Sequence, residues 1–168
     1  TYQRTLISDQ APATLAGPGG IGFTPQQQLG LQVFNTTGRC ATCHAGPLFT
    51  NQAFEYIGVR PIGEDLGRGA VTGNPNDDGR MKVPSLLNVE LRAPYFHTGT
   101  VATLEDVVDF YNRGGDFFGP TKAPQITPLG LNPTERAALV AFLEGPGQSR
   151  PQRGHGGSGL RLRLVRAA

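Results

Sequence analysis

Residues Cys40-Ala41-Thr42-Cys43-His44 constrain this chain more than any other stretch. They contain its only two cysteines, separated by two residues and followed at once by a histidine. Two thiols at this spacing can add to the vinyl groups of a single haem, while the adjacent imidazole becomes an axial iron ligand. The expectation is one covalent haem c, with Cys40 and Cys43 as attachment points and His44 as the proximal ligand. A thioredoxin-type redox pair would need a βαβ pattern around it, and none is visible. A structural zinc site needs four protein ligands, and beyond the cysteines the chain offers only His44, His97 and His155.

The 168 residues suit one domain, and haem would enlarge its apolar core. With 24 glycines and 14 prolines, much of the chain should be loop, held in place by the cofactor against the entropy cost of ordering it. Few helices are expected. Of the net charge of +2, five arginines after residue 145 carry +5, so residues 1–144 carry −3. A mildly acidic body therefore meets a basic tail. No apolar run approaches transmembrane length, and Thr1 opens no leader, so a mature chain or a fragment is expected. Covalent haem attachment implies a periplasmic or extracellular location, with no nucleic-acid partner and no transmembrane segment.

In order, residues 1–23 form an N-terminal arm ending in a Pro/Gly-rich loop. Thr24-Pro25-Gln26-Gln27 opens a first helix with an N-cap, a proline at the first position and a capping box. Leu29, Val33 and Phe34 follow at helical spacing, and Gly38 stops the helix just before Cys40. Residues 45–80 are irregular, with Phe54 to Val59 as the one strand-like run. Met81 to Val83 is extended before Pro84. A second helix follows Thr103 and carries Leu104, Val107, Val108 and Tyr111 to Gly114-Gly115. A third follows Asn132, with Leu139, Val140, Phe142 and Leu143 as its apolar face, and stops at Gly145. The fold class expected is mainly α: a cytochrome c-like haem domain over residues 24–145 with about three helices and long haem-wrapping loops. Residues 146–168 form a basic low-complexity tail with an alternating Leu160-Arg161-Leu162-Arg163 run, suited to a partner surface or an added strand.

What fills the sixth iron position separates an electron carrier from a catalyst. Met81 is the only methionine, and a thioether there would favour ferrous iron. His97 is the rival distal ligand, and His155 is a weaker one. With neither ligand bound, the iron would be open to peroxide. His44 should give its other ring nitrogen to a backbone carbonyl, in the loop running to Pro47. Arg39, Arg60, Arg68, Arg80 and Lys82 are available to the haem propionates or to solvent.

Three runs carry a family resemblance: Lys82-Val83-Pro84-Ser85-Leu86-Leu87-Asn88-Val89, Ala93-Pro94-Tyr95-Phe96-His97, and Thr103 to Gly115 with its Asp109-Phe110-Tyr111-Asn112-Arg113-Gly114-Gly115 ending. Arg4 to Ser8, Gly38-Arg39 and Leu66-Gly67-Arg68 to Thr72-Gly73 fit the same pattern. Together they resemble the C-terminal haem domain of bacterial di-haem cytochrome c peroxidases and the related MauG proteins. The resemblance implies two haem domains in the whole enzyme. The C-terminal haem takes electrons from a small redox donor and passes them to the N-terminal haem, where peroxide is reduced. It also implies a Met or Tyr ligand about five residues before the proline aligned with Pro84, where this chain has Gly79. Met81 stands two residues later, on the same face of an extended segment. Leu87 replaces an arginine common in the family. A calcium ion between the domains would draw on the backbone carbonyls of Val59 and Pro61.

The leading expectation is a mono-haem c-type domain that transfers single electrons to or from a redox protein. One alternative is the electron-input half of a di-haem peroxidase or MauG-like oxidase, acting with a second haem chain. Another is a haem-bearing structural subunit of a larger assembly, anchored by the basic tail.

Overall fold

The computed structural model describes residues 22–145. The arm before Gly22, the tail after Gly145 and His155 lie outside these residues. The described part is helix-rich: α1 spans Pro25–Asn35, α2 Gly69–Thr72, α3 Leu104–Asn112 and α4 Pro133–Glu144. Two-residue strands β1 (Phe54–Glu55) and β2 (Met81–Lys82) pair antiparallel, with Phe54 opposite Lys82 and Glu55 opposite Met81. Among the described residues, no helix is long and apolar enough to cross a membrane.

The three long helices begin where the capping residues direct. The Thr24 hydroxyl accepts from the Gln27 amide while the Gln27 side chain accepts from the Thr24 amide at 2.9 Å, closing the box. Asn132 and Glu135 do the same for α4. Thr103 caps α3 by accepting from the Asp106 amide at 3.1 Å.

Helix α1 lies directly on α4. A Cβ on Gly30 would fall 2.0 Å from the Ala138 carbonyl oxygen, so glycine is what lets the two backbones meet. Phe142 of α4 sits edge-on to Phe23 and Phe34, at centroid distances of 5.7 and 5.2 Å. Val33, Leu104, Val108 and Leu139 complete a continuous core. Gln27 is buried on the same seam and donates to the carbonyls of Ala141 (3.3 Å) and Gly145 (2.6 Å), satisfying backbone oxygens at the open end of α4.

The irregular expectation for residues 45–80 stands, with two differences. The strand-like run pairs with β2 at Phe54–Glu55 and adds a single parallel bridge from Tyr56 to Lys122, after which Gly58 (φ 82°) brings the chain against the Phe117 backbone. The short α2 and the 3₁₀ turns at Cys40–Thr42, Pro75–Asp77 and Val89–Leu91 carry too few apolar repeats to be read from sequence.

Candidate cofactor site

The end of α1 sets the site. Gly38 donates to the Val33 carbonyl at 2.8 Å, and a Cβ there would meet that oxygen and crowd Cys40 Sγ. Arg39 then adopts a left-handed backbone (φ 53°) and the chain enters the 3₁₀ turn Cys40–Thr42. The amides of Cys43 and His44 both point back to the Cys40 carbonyl, at 3.2 and 2.9 Å. The two thiols and the imidazole are thereby gathered on one turn. Both cysteines are free thiols.

These three residues line a cavity of about 470 Å³, within the roughly 300–1,000 Å³ of small-molecule sites. Phe34, Val59, Val83, Leu86 and Leu139 supply apolar wall. His44 Nδ1 lies 3.0 Å from the carbonyl oxygen of Phe49, two residues past Pro47, where the expected loop ended. A donating Nδ1–H leaves Nε2 as the nitrogen able to bind a metal. Burial lowers the His44 pKa, and the carbonyls of Phe49 and Pro84 partly oppose that. Burial pushes the Cys40 thiol up to about 12. Burial also raises the Tyr111 hydroxyl, whose ring lines the same cavity. Two free thiols, an imidazole locked at Nδ1 and an apolar cavity between them fit a covalently held haem.

Of the other expected residues, Met81 lines the cavity from β2 and packs its methyl end near Gly67. His97 reaches the cavity on an exposed loop, with Nε2 3.4 Å from Asp65 Oδ2. Gly79 has φ 73°, and a Cβ there would approach Tyr56 Cδ2 to 2.8 Å, so this position has no room for a side chain. Leu87 belongs to the buried set.

Arg39, Arg60 and Lys82 line the cavity, whereas Arg68 and Arg80 do not. Arg68 pairs with Asp77 at 3.2 Å and covers the Phe54 ring, and Arg80 is held where its Nε is buried without a partner. Val59 lines the cavity, and the Pro61 carbonyl accepts from the Glu64 amide at 3.0 Å. Among the described residues, no cluster of three or more His, Cys, Asp or Glu side chains could hold a metal ion. Sequence reasoning missed Gln125 and Arg92 on the cavity wall. Neither sits in a periodic pattern or a motif, so no local signal marks them. Tyr111, which helical spacing places on one face with Leu104, Val107 and Val108, lines the cavity.

A helix-rich domain with a thiol–thiol–imidazole turn on an apolar cavity defines a haem-protein class. No protein-family model matches the chain. It is 35% identical to cytochrome-c peroxidase IdrP2 of Denitromonas iodatirespirans, over 85% of this chain and 46% of the relative. It is 36% identical to the methylamine utilization protein MauG of Methylorubrum extorquens, over 86% of this chain and 41% of that protein. The crystal structure of a MauG-like protein associated with microbial copper homeostasis superposes with a TM-score of 0.77 at 30% identity, covering 85% of this chain and 53% of the other. The chain belongs to the family of di-haem cytochrome c peroxidases and MauG. It spans about half the length of the curated relatives it matches.

Proposed function

We propose that this chain is a cytochrome c-like domain that carries one haem c and serves as the electron-input half of a di-haem peroxidase or MauG-like oxidase. It takes single electrons from a redox protein and hands them to a second haem domain, in the periplasm or outside the cell. The observation that carries the reading is the meeting of Cys40, Cys43 and His44 on one apolar cavity, in a chain of the di-haem peroxidase and MauG family. Haem supplies the one-electron chemistry; the chain's residues attach it, orient it and keep water from it.

Cys40 and Cys43 are the proposed attachment points, and His44 the proximal ligand, oriented by the Phe49 carbonyl. Met81 is the proposed distal ligand, because it lines the same cavity while Gly79 has no side chain to offer. His97 is the weaker choice, since its Nε2 is already engaged by Asp65. A calcium ion held in part by the Val59 and Pro61 carbonyls belongs to the same proposal. Its support is the sequence resemblance, and the Pro61 oxygen keeps a second lone pair beyond its bond from Glu64.

The test is the visible and near-infrared spectrum of the purified chain, oxidised and reduced, with and without carbon monoxide. A covalent low-spin haem that ignores carbon monoxide and shows a sulfur-to-iron band is expected. A high-spin haem that binds carbon monoxide and turns over peroxide in the isolated chain would overturn the electron-input assignment. Absence of covalent haem after expression with the attachment machinery would overturn the whole reading.

A further inference from the structure

The two sulfurs of the attachment turn are held differently. Cys40 Sγ donates its thiol hydrogen to the Gly38 carbonyl at 3.4 Å. Cys43 Sγ instead accepts from the side-chain amide of Gln125, at 3.3 Å. Gln125 comes from a loop 82 residues further along the chain, and that loop has a second tie to the turn: Arg39 Nη1 donates to Thr127 Oγ1 at 2.7 Å. The loop is fixed from behind as well, by the Leu129 amide on the Asn112 carbonyl at 3.0 Å.

Joining a thiol to a vinyl group forms a carbon–sulfur bond and moves the thiol hydrogen to the other vinyl carbon. The Cys40 bond to Gly38 ends with that step, because a thioether has no hydrogen to donate. The Cys43 bond does not end, because a thioether sulfur still accepts weakly. We propose that Gln125 is a positioning residue for the bound cofactor, whose side-chain N–H donates to the Cys43 sulfur after attachment and holds the 125–127 loop against that edge. The bond draws electron density from the sulfur and points the positive end of the amide dipole at the cofactor. Both effects favour the reduced state. The inference rests on the haem reading above.

The test uses the haem-loaded full chain and its Gln125→Leu and Gln125→Glu variants, read by spectroelectrochemical titration and by the carbon–sulfur vibrations in resonance Raman spectra. In Gln125→Glu the ionised carboxylate cannot donate. At a fixed solution potential near neutral pH, the ferrous-to-ferric ratio should fall, by at most about fivefold from the lost hydrogen bond and further from the added negative charge. It should recover towards the wild-type value as the introduced carboxyl is protonated in acid, when it regains a donor. Gln125→Leu should shift the carbon–sulfur bands without recovery in acid. A wild-type midpoint and unchanged bands in both variants would overturn the inference while leaving the haem reading intact. A wild-type chain without covalent haem would instead remove the reading on which it rests.

Discussion

His44 Nδ1 lies 3.0 Å from the carbonyl oxygen of Phe49, a residue with a left-handed backbone (φ 49°) whose ring packs edge-on against Phe34 at 5.8 Å. Phe49 thus ties the orientation of the imidazole to the core. Phe49→Ala should lower the unfolding free energy by about 2 kcal/mol through lost ring packing. Denaturant titration measures this, and a change below about 0.5 kcal/mol would show that the loop holds its carbonyl without the ring.

The Cys40 thiol is pushed up to about 12 because burial disfavours the thiolate. A raised thiol pKa keeps the neutral, unreactive form across the neutral range. In the haem-free chain, alkylation of Cys40 by iodoacetamide should stay slow at neutral pH and accelerate only above about pH 10. Mass spectrometry of the labelled peptide gives the result, and full labelling of Cys40 at pH 7 within minutes would contradict it.

Met81 and His97 both line the cavity, but only His97 is held elsewhere, by Asp65. Met81→Ala should therefore convert the haem-loaded chain to a high-spin form that binds carbon monoxide, with loss of the sulfur-to-iron band. His97→Ala should leave that band in place. The opposite pattern would assign the distal position to His97.

Gly30 lies where α1 crosses α4, and an added Cβ would sit 2.0 Å from the Ala138 carbonyl oxygen and 2.7 Å from Phe142 Cβ. The backbones must separate to admit even a methyl group. Gly30→Ala should cost about 3 kcal/mol despite alanine's better helix propensity, an overpacking penalty that exceeds the propensity gain of about 1 kcal/mol. Thermal unfolding of the two proteins compares them directly, and an unchanged or raised midpoint would refute the close crossing.

Gln27 shows how far local signals reach. The sequence marks it as the third residue of a capping box, and it fills that role. Its amide also spans to the Ala141 and Gly145 carbonyls on a helix more than a hundred residues away. The capping role depends on residues three apart, whereas the bridge depends on which helix lies opposite.

The sequence by itself determined that both cysteines and His44 share one short segment behind α1, and it determined the three long helices, because spacing, caps and glycine stops act within a few residues of chain. It also determined the family, through motifs spread along the chain. Tertiary structure decided what no short window contains: the glycine crossing at Gly30 and the bond from Gln125 to Cys43. Both contacts join segments more than eighty residues apart, which become neighbours only after the chain packs, so nothing near Ala138 or Gln125 in sequence announces them.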